Sequence, residues 1–180
     1  MTPKSIDPRV LISRIHRSGC IWHWTEDGGT AFERIHRGDP SAYEQLTALM
    51  RYARMYGLPL GDNSEEETKE SRPTHRCPVG QYVASLPNHG FDDAAKPMPW
   101  AGELYAESHD CREQYRLYFI ESRLKWHAAT DDVVVSGGGS KSVNDDGAHL
   151  TQTKQIKNAM HAGVTWCTHR RTKWRRWNDA

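Results

Sequence analysis

A chain of 180 residues with 24 Lys and Arg against 23 Asp and Glu, 37% hydrophobic residues and a mean hydropathy of −0.81 is sized for one domain, 1–180, with a modest core. The formal net charge of +1 excludes a strong whole-chain field, and no apolar run approaches the ~20 residues of a membrane span. The first residues, Met-Thr-Pro-Lys-Ser-Ile-Asp, lack a signal-type apolar stretch, and the four scattered cysteines read as free thiols, so the expected setting is cytoplasmic with no membrane partner.

Residues 19–24 are apolar and β-prone and predict a first strand, closed by the turn formers Asp27-Gly28-Gly29. Phe32, Ile35 and their neighbours suit a short helix. Asp39-Pro40-Ser41 opens another, with Asp39 as N-cap and Pro40 at the first helical position. Tyr43, Leu46, Leu49, Met50 and Ala53 recur at helical steps and form one apolar stripe; Gly57 and Pro59 end it. The two helices predict an antiparallel pair.

Residues 61–99 break this pattern. Positions 62–70 carry five acids against one lysine, and Pro73, Pro78, Pro87, Pro97 and Pro99 follow. The stretch reads as an irregular insertion with one short strand at Gln81–Ser85. Strands resume at Gly102–Ser108, Gln114–Ser122 and Asp132–Gly137, an antiparallel meander. Val133 to Ser142 reads as a strand that ends in a glycine turn presenting Lys141. Ser140–Gly147 is a polar turn segment. Leu150–Gly163 reads as a helix, with Ile156, Ala159 and Met160 on one face and Lys154 and Lys157 on another. Residues 167–180 form a basic, tryptophan-rich tail.

Two cations stand out. Arg116 lies inside an apolar strand, where a charge needs a groove or a partner. With Lys141 on the neighbouring strand it forms a pair able to hold a phosphate, so nucleic acid is the first partner to consider. Arg116 also suits a cross-strand ion pair with Glu103 or Glu107, and Lys141 a solvated turn. Tyr105 and Tyr118 offer ring faces to a base or pack as cross-strand pairs. Arg170, Arg171, Lys173, Arg175 and Arg176, interleaved with Trp174 and Trp177, suit RNA, as does Lys154; the tail also suits a cap on the fold or an anchor for a protein. Cys20-x-x-His23 and His75-x-Cys77 approach ligand spacing, but neither has a second pair, and no metal or cofactor is expected.

Four motifs occur in a telling order. Asp27-Gly-Gly-Thr-Ala-Phe32 closes the early strand. A capped helix ends in Gly57-Leu-Pro-Leu-Gly61. Gly102-Glu-Leu-Tyr-Ala-Glu is followed by Tyr115-Arg-Leu-Tyr-Phe. Val133-Val-Val-Ser-Gly-Gly-Gly-Ser-Lys-Ser142 precedes the amphipathic Lys154-Gln-Ile-Lys-Asn-Ala159. Together they resemble the RelE/ParE superfamily of bacterial toxins, nearest its HigB-like, phage-related killer-protein branch. The resemblance covers about 19–60 and 102–166. It implies an α+β fold, a small twisted antiparallel sheet packed against an N-terminal helical pair and a C-terminal helix, with a concave basic face.

The resemblance implies one of two activities: metal-independent cleavage of mRNA on the ribosome, or poisoning of DNA gyrase. Toxins of both kinds are neutralised by a cognate antitoxin protein. In such RNA cleavage the substrate's 2′-hydroxyl is the nucleophile, and Arg116 and Lys141 are the candidates for stabilising the phosphate's charge. The general base is sought among the histidines nearest these strands, His109, His127 and His149. A third reading is a non-catalytic nucleic-acid- or protein-binding member of the same fold.

Overall fold

The structure, a computed structural model, describes residues 13–15, 19–58, 75–86, 88–91, 96–124, 132–144 and 146–179. Its elements run β1 (Ile21–Trp24), α1 (Glu26–Gly38), α2 (Pro40–Tyr56), β2 (His75–Arg76), α3 (Gln81–Ala84), β3 (Ala101–Glu107), β4 (Glu113–Leu124), β5 (Asp132–Ser142), α4 (Ala148–His169) and β6 (Thr172–Trp174). The fold is α+β, a six-stranded sheet with a helical pair on one face and the C-terminal helix on the other. No helix among the described residues is long and apolar enough to cross a membrane.

The strand order is β1-β5-β4-β3-β2. β3, β4 and β5 form the expected antiparallel meander. β1 adds to β5 in parallel, with Ile21 opposite Asp132, so the sheet is mixed. Alternation along the strands assigns the two faces. Leu104, Ala106, Leu117, Phe119, Val133 and Val135 meet α1 and α2. Ala101, Tyr118, Ile120 and Val134 meet Ile156, Ala159, Met160 and Cys167 of α4.

The helical pair forms as its caps dictate. The Asp39 side chain accepts from Ala42 N at 3.0 Å, Pro40 fills the first turn, and Gly57 ends α2 at φ 81°. α1 starts earlier than the turn signal Asp27-Gly28-Gly29 suggests. Thr25 is its N-cap, with Oγ1 accepting from Gly28 N at 3.0 Å, and the two glycines lie inside the first turns. Gly28 is there for proximity: a Cβ on it would stand 2.2 Å from the Val135 carbonyl oxygen.

A second correction concerns Gly137, Gly138 and Gly139. They form no turn. β5 continues through them to Ser142, and Lys141 is a strand residue opposite Gln114. Close packing on both faces is the reason. A Cβ would meet Ala159 Cβ at 2.9 Å from Gly137, Ala31 Cβ at 3.1 Å from Gly138, and the Gln155 amide within 2.5 Å from Gly139. Gln81–Ala84, expected as a strand, is a single helical turn. The acidic run 62–70 and His127 lie outside the described residues.

The basic tail is built into the fold. β6 pairs with residues 122–124 of β4, and the chain then wedges beside the segment that enters β3: Arg175 N donates to Glu121 O at 3.0 Å, and Trp100 N to Arg175 O at 2.9 Å. Arg175 is fully buried. Its Nη1 lies 3.1 Å from Glu121 Oε2, and its guanidinium carbon 4.3 Å from the Trp100 ring centre. Glu121 also receives Ser13 Oγ at 2.6 Å and Arg14 N at 2.8 Å. Arg170, Arg171, Lys173 and Arg176 are exposed.

Removing one partner of a buried ion pair leaves the other charge stranded. Arg175→Ala is therefore expected to lower unfolding free energy by about 3–5 kcal/mol in urea titrations, whereas Arg176→Ala stays within about 0.5 kcal/mol. The thiols offer an independent check. Burial raises Cys167 to about 11, whereas Cys111 is exposed in the β3–β4 turn. Iodoacetamide near pH 8 should alkylate Cys111 first and leave Cys167 unmodified until the protein unfolds, as mass spectrometry would read.

Candidate functional site

The sheet face under the first turns of α4 changes character along its length. Near α4's middle it is apolar. Towards the β3–β4 turn it becomes polar, because alternation brings Glu103, Tyr105 and Glu107 of β3 beside Tyr118, Arg116 and Gln114 of β4. β5 continues these rows with Gly137, Gly139 and Lys141. β2 extends the first row on the other side, where Arg76 pairs with Glu103.

At the centre Arg116 Nε lies 3.3 Å from Glu103 Oε2, with the two side chains only 4% and 1% exposed. Arg116 Nη2 donates to Gln114 Oε1 at 2.8 Å. Its guanidinium carbon stands 5.4 Å from the Tyr105 ring centre, and Arg76 approaches the same ring at 6.0 Å. The Tyr105 hydroxyl donates to Glu107 Oε1. From α4, Gln152 Nε2 donates to Glu103 Oε2 at 3.5 Å, and Gln155 Oε1 lies 3.5 Å from the Tyr118 hydroxyl.

Burial raises Glu103 above the ordinary glutamate value of 4.5, opposed by Arg116 and then Arg76. Burial likewise raises the Tyr118 hydroxyl, reinforced by Glu103. Tyr118 is fully buried, so its ring face is core and not a platform for a base. Tyr105 is nearly so.

The four catalytic candidates fall at one end of the sheet. Arg116 and Lys141 occupy one face of adjacent strands, two residues out of register. His109 is exposed in the turn beyond the Glu107–Gln114 pair. α4 runs antiparallel to β5, as the Gly137–Ala159 and Gly139–Gln155 contacts require, so exposed His149 in its first turn lies beyond the Lys141 end. Lys154 is exposed on α4, and Arg170, Arg171, Lys173 and Arg176 lie at the opposite end of that helix. Arg175 is taken out of the candidate set by its burial against Glu121.

Gln114, Gln152 and Gln155 are not singled out by the sequence, and Glu107 enters there only as a possible ion-pair partner of Arg116. The two acids are legible because Glu-Leu-Tyr-Ala-Glu alternates and puts both Glu103 and Glu107 on the Tyr105 face. The glutamines of α4 carry no local signal; only the helix's seat over the glycine run brings them in. Among the described residues no group of three or more His, Cys, Asp and Glu converges on a point that would hold a metal ion.

A carboxylate whose folded value is raised holds its proton more tightly in the folded state than in the unfolded chain. Its contribution is then fully present below about pH 4.5 and is lost as pH rises through the raised value. Glu103→Gln should flatten that part of the stability–pH curve, followed by urea midpoints. At neutral pH the same substitution should leave stability unchanged or raise it, because glutamine stands in for the protonated form that burial favours.

No family model, no curated protein and no solved structure matches this chain.

Proposed function

We propose that this protein acts on RNA as a metal-independent, ribosome-dependent mRNA endonuclease, the toxin component of a toxin–antitoxin pair. The observation that carries the reading is the polar end of the sheet, where Lys141 stands in the row of Glu107 and Gln114, beside the buried Arg116. Lys141 meets the scissile phosphate as a point charge. Arg116 is a positioning residue: held by Glu103, it orients Gln114, the register partner of Lys141.

In the proposed reaction a base removes the 2′-hydroxyl proton, and the 2′-oxygen attacks phosphorus. The bond from phosphorus to the 5′-oxygen breaks, and that oxygen takes up a proton. The products are a 2′,3′-cyclic phosphate and a 5′-hydroxyl. Glu107, half-buried and hydrogen-bonded by Tyr105, supports the role of base beside the exposed His109 and His149. A cognate antitoxin would hold such an activity silent.

A second reading, an RNA-binding protein without cleavage, is favoured by one observation. The strand arginine is neutralised by a buried carboxylate and is not displayed to solvent.

Programmed ribosomes incubated with the protein in EDTA should yield cut mRNA, with Lys141→Ala reducing the rate about 100-fold or more at unchanged thermal stability. Ribosome-bound mRNA that is retained but intact would select the second reading. Intact mRNA with no binding would remove both.

A further inference from the structure

β1 pairs with β5 only as far as Val135, and beyond that point no described strand adjoins the outer edge of β5. The edge is not bare. α1 continues the line of β1 on one face and α4 covers the other, and between them opens a slot of about 380 Å³. Its walls are Ala31, Arg34 and Ile35 of α1, Tyr115 of β4 and Gln155 of α4, and its floor is Gly138, Gly139 and Ser140.

The floor has a defined polarity. Val143 N donates to Arg112 O at 2.9 Å, which fixes the phase of the antiparallel ladder. Lys141, Gly139 and Gly137 then exchange bonds with Gln114, Arg116 and Tyr118. The N–H and C=O groups of Gly138 and Ser140 point away from β4, to the open edge. Each of these residues offers a donor beside an acceptor. Every nucleobase carries the same adjacent pair on its Watson–Crick edge.

We propose that this slot takes one unpaired nucleobase of the RNA strand, its edge on the Gly138 and Ser140 backbone, its face against Tyr115, and its phosphate against Arg34. The assignment rests on the RNA reading given above. Gln155 links the slot to the polar face, since its amide lies over Gly139 and its Oε1 lies 3.5 Å from the Tyr118 hydroxyl. Burial, with Asp39, Glu113 and Asp110 nearby, raises the Tyr115 hydroxyl, which keeps it a donor. Arg34 is exposed, and a guanidinium recognises a phosphate from the rim of a site without being desolvated.

The alternative occupant of a free sheet edge is an added peptide strand. Here α1 opposes it. Gly28 lies against the Val135 carbonyl, so the helix already follows the edge as far as that residue, and Ala31 stands over the face of Gly138. The accessible edge is too short for a ladder and suits a planar group.

The test titrates AMP, GMP, CMP and UMP, with ribose 5-phosphate as the base-free control, and follows backbone amide resonances. At least one nucleotide should shift Gly138, Ser140 and the Gln155 side-chain amide, and ribose 5-phosphate should not. Arg34→Ala should weaken that nucleotide about tenfold at an unchanged thermal midpoint. Ser140→Pro, which removes an edge N–H and no ladder bond, should abolish the shifts; if it fails to fold, Arg34→Ala and Gln155→Ala decide.

Equal response to ribose 5-phosphate, or no response at these residues, overturns the proposal. So does displacement of the nucleotide by an extended peptide that binds this edge more tightly. The two readings fail separately. Nucleotide binding here without RNA cleavage leaves the slot and removes the nuclease. RNA cleavage with the slot variants unchanged in base binding and base preference leaves the nuclease and removes the slot.

Discussion

The Glu121 carboxylate is the point through which distant parts of the chain are joined. It sits on β4 between the sheet and the helical pair, and it is nearly inaccessible to water. Ser13 and Arg14 reach it from before β1, Arg175 from after α4, and Trp100 roofs the Arg175 guanidinium from the entry to β3. A buried carboxylate without such partners would be untenable, and a buried guanidinium equally so. The carboxylate therefore accounts for the order of segments that look unstructured in isolation, and it explains why a run of five cations in the tail contains one that is not for solvent.

The sheet is polarised along its strands as well as across its faces. One face, Glu121 apart, is apolar where it receives α1 and α2. The other is apolar under the second half of α4 and polar under the first. The glycines of β5 make both seats possible, since each strips a side chain from a position where a helix comes within contact distance. The same three residues bring Gln155 down to the sheet, and with it the hydrogen bond to Tyr118. Packing and site chemistry thus share one cause.

Elements with strong local signals were legible. Asp39-Pro40 and Gly57 bound α2, the alternating strands gave the meander, and the ion-pair alternative for Arg116 named Glu103, the partner it has. The misreadings share a physical origin. Asp27-Gly28-Gly29 and Gly137-Gly138-Gly139 have the composition of turns, but Gly28 and the three glycines of β5 answer to a neighbour in space, not to backbone dihedrals. Arg175 is chemically like Arg176 in the sequence; only the position of Glu121, 54 residues away, distinguishes them. The candidate site was half legible for the same reason. Its strand residues follow a period of two, while its helix residues depend on where α4 docks.

The separation of 54 residues between Glu121 and Arg175 also has a temporal side. A ribosome adding 5–20 residues per second makes the carboxylate roughly 3–10 s before its counter-ion. During that interval β4 can pair with β3, and then with β5, while Glu121 has only the Ser13 hydroxyl and the Arg14 amide as partners. Closing the core over Glu121 before the β6 segment has emerged would bury that charge without its counter-ion. Vectorial synthesis thus supplies the carboxylate's hydrogen-bond donors from the N-terminal segment first and its counter-ion last.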